Sequence, residues 1–504
     1  MLCHLVLIGI FFLIVRFYQR RTKYPPGPFP FPIIGNLPSF VISYLLNGDG
    51  LGVVMLKWKQ KFGGVFTVWF GPIPVVAVAD YEVAVQTYLR DGDAHALRFN
   101  IPLFELLRGG YGIIMSNGGR WLEQRRFALH VLRNFGVGKN LMQEQILKEF
   151  RCRIEPIDDE IQANGGKLKL EPRSKFVDVL AGSIINLVMV GYSFDDSNIE
   201  EFREMRADIE RALLEFNVLD LALVNEFTKN LPVLKERYRQ VKEVQEKPIA
   251  FVMKQISNRK NDILAGRREL DYHVPPGDFL DAYLLEMKRR EENGLEPGHF
   301  NEKQLAFSIL DMWQAGMDTT IATVSWAFAF LANHPDVQEK MREEMWRVVG
   351  RNRDVEMGDK LVLPYCSAVI TETHRLAAIL NLNVWRETTK SCLIGGHHVP
   401  EGTASAVMMS VIFRDESVFE QPMEFKPERF VDDKQLEQKV MPFGLGKRQC
   451  LGEGLARAEI FLIILNVVRS YRLLDEDGTI DWRRGSEFGF ARIPMSYEVT
   501  FQKV

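Results

Sequence analysis

The chain opens on apolar positions and answers them with cations. Leu2 to Val15 is apolar apart from His4, Phe17 and Tyr18 carry the run past Arg16, and Arg20, Arg21 and Lys23 follow. The run is short beside the roughly 20 residues of a spanning helix, although snorkelling of Arg16 lengthens it. A cleaved leader carries its charge before the apolar run. Cations placed after it hold the body in the cytosol. Residues 1–18 are therefore expected to form a signal anchor. Pro25, Pro26, Pro28, Pro30 and Pro32 then make residues 19–36 a basic, stiff hinge. Residues 37–504 are expected to form a single domain.

Further on, Val65 to Ala79 is rich in β-branched residues, and Gly71-Pro72 breaks it into a predicted hairpin. From about Asn140 to Asn333 the pattern predicts mostly amphipathic helices, interrupted at Pro275-Pro276-Gly277. Lys235 to Lys260 reads as a solvated helix face. Strand-like runs return at Val384 to Thr389, Ser405 to Phe413 and Ser496 to Phe501. The longest predicted helix, Glu302 to Ala332, would be about 45 Å long. Asn301 with Gln304 caps its start and His334-Pro335 ends it. The fold expected is mainly α with a smaller β-rich part.

Composition narrows the function classes. Hydrophobic residues make up 46% of the 504, enough for a large core, and the net charge of −3 lacks the basic excess of a nucleic-acid binder. Five widely spaced cysteines with no C-x-x-C, and no H-E-x-x-H, argue against a disulfide framework or a zinc site.

The chemistry concentrates in Phe443-Gly444-Leu445-Gly446-Lys447-Arg448-Gln449-Cys450-Leu451-Gly452. It sets one cysteine in a glycine-rich loop beside a cation and before the apolar run Leu455 to Val468. Such a thiol sits at a helix N-terminus, where dipole and charge are expected to favour the thiolate. Gly452 would leave room for a large flat group. Arg448 stands where a phosphate loop needs Ser or Thr, and Gln449 where a dinucleotide loop needs Gly. Haem iron accepts a thiolate of this kind. In mid-helix, Ala315-Gly316-Met317-Asp318-Thr319-Thr320 should loosen the helical ladder, since Gly is poor there and Thr hydroxyls bond back one turn. Alone, Gly316 reads equally as a packing contact.

These motifs resemble the cytochrome P-450 family, and animal microsomal members in particular. The match runs in family order from residue 24 to 492. The resemblance implies heme b, sandwiched between the Thr319 helix and the helix after the cysteine loop, with Cys450 as axial ligand and Phe443 in its loop. It implies that Thr319 orders hydrogen bonds to dioxygen and that Asp318 relays protons. Trp121 and Arg125, spaced as in the family's W-x-x-x-R helix, join Arg386 and Arg448 as a clamp for the haem propionates. Glu372, Arg375 and Arg429 would form a structural network that steadies Cys450.

The implied reaction is insertion of one oxygen atom into a lipophilic xenobiotic, fatty acid or steroid-like molecule. Its pocket would be lined by Arg98 to Ile114, Leu310 to Ala315, Ala378 to Asn383 and Phe488 to Ala491. Electrons would come from NADPH through a separate cytochrome P-450 reductase, with cytochrome b5 a further candidate. Arg126, Arg133, Lys139 and Lys447 are candidate docking cations. The implied location is the endoplasmic reticulum membrane, facing the cytosol. Two alternatives stay open: a haem-thiolate isomerase or dehydratase of lipid peroxides, and a non-catalytic haem sensor.

Overall fold

The structure, a computed structural model, describes residues 2–135, 140–214, 220, 223–486 and 491–504. Helix α1 (Leu2–Arg21) exposes Leu5, Leu7, Ile8, Phe11, Phe12 and Leu13. Its last turn lies on the body instead of leading away from it. Phe17 meets Trp69 edge-on with ring centroids 4.8 Å apart, Tyr18 stacks on Phe29 at 4.9 Å, and the Tyr18 hydroxyl donates to the Pro30 carbonyl at 3.3 Å. Helix α2 (Leu37–Asn47) buries Phe40 but leaves Val41, Ile42, Leu45 and Leu46 exposed. Among the described residues no single helix is long and apolar enough to cross a membrane. Helix α2 and the following Leu51–Phe62 helix reach that length and composition only together, and they bend by 111°.

The hairpin expected around Gly71-Pro72 forms from β1 (Val65–Phe70) and β2 (Ile73–Val78), in the register Val65↔Val78 to Phe70↔Ile73. Gly71 takes the positive φ of 60° that the turn requires. With β3 (Leu97–Arg98), β4 (Arg386–Glu387) and β5 (Ala404–Val407) it makes a sheet ordered β1-β2-β5-β4-β3. The β2–β5 pairing is parallel and the rest antiparallel. The register of β3 on β4 sets Arg98 directly opposite Arg386.

The other strand expectations need correction. Of Ser405 to Phe413, only β5 is strand; after Met408 donates to the Val78 carbonyl, Met409–Phe413 coils into a short helix. A continuous apolar run cannot tell a buried strand from a buried helix. The run Val384 to Thr389 shrinks to β4. The C-terminal strand is Val499–Lys503, antiparallel to Lys167–Leu170 and Tyr471–Leu474, neither of which the sequence pattern singled out.

The middle of the chain is helical as expected. Helix α3 (Gly118–Asn134) precedes α4 (Asp178–Val190), α5 (Ile199–Leu214), α6 (Pro232–Leu264) and α7 (Glu302–Ala332). Helix α8 (Pro364–Ala377) and α9 (Glu453–Ser470) complete the frame. Helix α7 is apolar nearly all round, the pattern of a core helix, and it packs against α4, α6, α8 and α9. Asn301 caps it by accepting from the Gln304 N–H at 2.9 Å, but the Gln304 side chain turns away to Gly112 and Ser308.

Candidate active site

The middle of α7 breaks its burial pattern. Residues 305–313 and 320–332 are buried, whereas Ala315 is exposed and Gln314, Gly316, Asp318 and Thr319 are half-buried. Exposure in the middle of a core helix places Ala315 and Thr319 on an internal cavity. The helix is not interrupted there, contrary to the loosening expected from its sequence. Gly316 serves packing: a Cβ on it would come within 2.9 Å of Ile185 Cδ1 on α4. The Thr319 hydroxyl donates to the Ala315 carbonyl at 2.6 Å, and Thr323 to that of Thr319 at 2.8 Å. Asp318 faces elsewhere. It is ion-paired with Arg206 of α5, which also lies 3.8 Å from Asp178. Burial raises the Asp318 carboxyl above the usual range and Arg206 opposes the rise. No hydrogen bond among the described residues joins Asp318 to Thr319.

The cysteine loop is closed by the Cys450 N–H, which donates to the Phe443 carbonyl at 2.9 Å. Gly446 holds a φ of 69°, and a Cβ there would overlap the Tyr88 carbonyl oxygen at 1.8 Å, so only glycine fits. A Cβ on Gly452 would meet open space. Cys450 is exposed, yet burial raises its thiol above the ordinary value, against the Gly452 N–H, Arg125 and Arg457. A thiol exposed to a cavity deep within protein fits both observations. The expectation that dipole and cations alone favour the thiolate is thus reversed in sign, because desolvation is the larger effect. A metal at the sulfur would restore the thiolate.

Four arginines gather beside this loop. Arg125 of α3 donates to the Gln449 carbonyl at 2.8 Å and Arg386 to that of Leu445 at 2.5 Å, so both brace the loop from outside. Arg448 lies 3.8 Å over the Trp121 ring and donates to Ala96 O, Ser116 O and Asn117 Oδ1. Arg98 bonds the carbonyls of Ile114 and Val384 at 3.0 and 2.7 Å. Asn117 ties the group together by also accepting from the Arg98 N–H at 2.7 Å. Burial, then mutual repulsion, pushes Arg448 down to about 9 and Arg98 well below its ordinary value; burial pushes Arg386 down to about 10.

Among the described residues no carboxylate pairs with any of the four. Arg386 Nε and Nη1 and Arg448 Nη1 are buried without a hydrogen-bond partner. Clustered cations with orphaned donors fit an anionic group, and a group bearing two carboxylates beside a sulfur ligand fits the haem that the sequence implies.

Behind the loop, Glu372 and Arg375 of α8 are wholly buried, paired through two bonds of 2.7 and 2.8 Å. Arg429 Nε reaches Glu372 Oε1 at 3.3 Å. The neighbouring His374 meets the Phe443 ring edge-on at 5.5 Å. The structure thus brings the Glu372–Arg375–Arg429 set together, and it gathers Arg125, Arg386, Arg448 and Trp121 around the cysteine loop.

The sequence pattern placed Arg98 and Asp311 in the pocket lining and did not single out Asn117 or Arg206. Asp311, 1% exposed, accepts from Ile113 and Ile114 N–H at 2.7 and 2.9 Å and pairs with Arg108 at 2.6 Å, fastening the 98–114 segment to α7. An acid in an otherwise apolar stretch of α7 was the available signal. Phe488 to 490 and Lys139 lie outside the described residues.

A sequence profile described as cytochrome P-450 matches residues 25–501. The chain is 32% identical to the probable cytochrome P-450 cyp-35D1 of Caenorhabditis elegans, over 99% of both chains. It is 32% identical to cytochrome P-450 2H2 of Gallus gallus and 30% to cytochrome P-450 2C5 of Oryctolagus cuniculus, over 99% of this chain and 97% of each relative.

Proposed function

From the premise that the chain belongs to the cytochrome P-450 family, whose members are monooxygenases, we propose that it oxidises a lipophilic small molecule with electrons from NADPH. One atom of dioxygen enters a C–H bond of the substrate and the other leaves as water, consuming two electrons and two protons. The observation that carries the reading is the arginine cluster around the Cys450 loop, which has no carboxylate partner among the described residues. Cys450 Sγ would ligate haem iron, and Arg98, Arg125, Arg386 and Arg448 would hold the propionates. Bound there, haem supplies the reductive activation of dioxygen.

The chain's own residues manage the proton and the geometry. Thr319 holds a hydroxyl proton at the cavity face of α7, with the Ala315 carbonyl keeping it in place. Asp318 is the adjacent acid and is held by Arg206, so it reaches that hydroxyl only when the ion pair opens. Glu372, Arg375 and Arg429 keep the polypeptide behind Phe443 rigid. The segments expected to line the pocket are mainly apolar and aromatic in sequence, which suits a lipophilic xenobiotic, fatty acid or steroid-like substrate.

The sequence contains no dinucleotide or flavin fingerprint, so a separate cytochrome P-450 reductase would deliver electrons, with cytochrome b5 as a further donor. Arg126 and Arg133, both exposed on α3, and Lys447 are its proposed contacts. The exposed apolar face of α1 supports attachment to the endoplasmic reticulum membrane. Turnover of a lipid and xenobiotic panel with reductase and NADPH, followed by mass spectrometry, tests the reading. Substrate-dependent NADPH oxidation with a product heavier by one oxygen is expected. Rearrangement of a lipid hydroperoxide without reductase would favour the isomerase, and haem binding with neither reaction would favour a sensor.

A further inference from the structure

Helix α9 follows the cysteine loop and buries Leu455, Ala458, Ile460, Phe461 and Leu462; amid them stands Glu459, 2% exposed. Among the described residues no cation pairs with it. Its carboxyl accepts from the Thr320 hydroxyl of α7 at 2.9 Å. An unpaired buried carboxylate costs several kcal/mol, so the acid stays neutral: burial pushes it up to about 8, and the Thr320 hydroxyl opposes that rise. A leucine would fill the same space without that cost. What leucine lacks is a directional bond.

Successive residues on a helix point about 100° apart. Thr320 therefore faces α9 while Thr319, one residue earlier, presents its hydroxyl to the cavity. We propose that Glu459 is a positioning residue for Thr319: through Thr320 it fixes the rotation of the α7 turn that aims the Thr319 hydroxyl. A single neutral hydrogen bond thereby couples the helix behind the cysteine ligand to the helix that handles the proton. The inference rests on the role of Thr319 proposed above, and the test separates the two.

The full-length, haem-loaded chain is compared with Glu459→Leu, Glu459→Gln, Thr320→Val, the Glu459→Leu/Thr320→Val double variant and Thr319→Ala. Two quantities are read: the C–O stretching frequency of the ferrous carbonyl adduct, which senses the cavity hydroxyl without turnover, and peroxide released per NADPH with reductase. Glu459→Leu and Thr320→Val are expected to shift the C–O stretch in the direction of Thr319→Ala. Each should raise peroxide per NADPH about threefold, the factor that one neutral hydrogen bond supports. The double variant should add nothing to either single one, and Glu459→Gln, which keeps a neutral acceptor, should match the wild type.

An unshifted C–O stretch in Thr320→Val would overturn the proposal, as would a Glu459→Gln variant as disturbed as Glu459→Leu. If Glu459→Leu loses its haem, Thr320→Val reads the same bond from the other side. If the stretch shifts as expected while Thr319→Ala leaves peroxide release unchanged, Glu459 stands as a positioning residue and the proton role of Thr319 falls.

Discussion

Arg375 meets Glu372 fork to fork, with Nε and Nη2 donating to the two carboxylate oxygens at 2.7 and 2.8 Å and neither residue reached by solvent. The same guanidinium donates to the carbonyls of Phe413, Pro422 and Glu424, and Glu372 accepts the Lys426 N–H at 2.8 Å. One ion pair on α8 thus holds a stretch of chain with little regular structure, and Arg429 extends it to Glu420 and Gln421. Removing the carboxylate strands two buried cations, which costs on the order of 3–5 kcal/mol. Glu372→Ala is expected to yield little haem-loaded protein, measured as haem per polypeptide. A wild-type ratio would show that the network does not support the cysteine loop.

Cys450 is the expected axial ligand. Cys450→Ser should abolish the red-shifted Soret band of the ferrous carbonyl adduct. Serine substitutions at Cys152, on the outer surface, and at Cys366, in the core, should leave it in place. Persistence of the band in Cys450→Ser would end the haem-thiolate reading.

Thr319→Ala should keep the haem spectrum and NADPH oxidation while more of the electrons leave as hydrogen peroxide. Asp318→Asn should slow turnover more than it changes that partition, because its carboxyl is tied to Arg206 and not to the Thr319 hydroxyl. NADPH consumed, peroxide released and product formed, followed together, check both outcomes.

Glu459 makes stability depend on pH. Its folded-state value of about 8 lies above the ordinary 4.5. Between those values the folded chain holds a proton that the unfolded chain releases, so stability falls as pH rises. Glu459→Gln is neutral throughout and escapes that fall. Its stability relative to wild type should rise between pH 5 and pH 8, by up to about 4 kcal/mol at about 1.4 kcal/mol per unit. Melting curves of the two proteins across that range test the sign; parallel curves would mean that Glu459 is ionised in the folded state.

Deleting residues 1–16 should weaken membrane association and spare haem content. The deletion removes the exposed apolar face of α1 but keeps Phe17 on Trp69 and Tyr18 on Phe29. Sedimentation with vesicles and the carbonyl spectrum measure the two effects. Loss of the spectrum would place the removed segment in the core.

Local chemistry that works at short range was legible in the sequence. The hairpin at Gly71-Pro72, the helical stretch that culminates in α7, the Asn301 cap and the glycine loop around Cys450 all depend on neighbours within a few residues, where periodicity and backbone preference act. What the tertiary structure decided depends on partners far along the chain. The two-residue pairing of β3 with β4 sets Arg98 against Arg386, too short a ladder to leave a pattern. Asp318 faces Arg206 because α5 comes within ion-pair reach of α7, and the Cys450 thiol is raised because the surrounding protein partly desolvates it. Glu459 lies within the run Leu455 to Val468 that reads as apolar, and only the packing of α9 against α7 brings it to Thr320. Charge and hydrogen bonding inside a protein follow from who is packed against whom, and that is a property of the assembled fold.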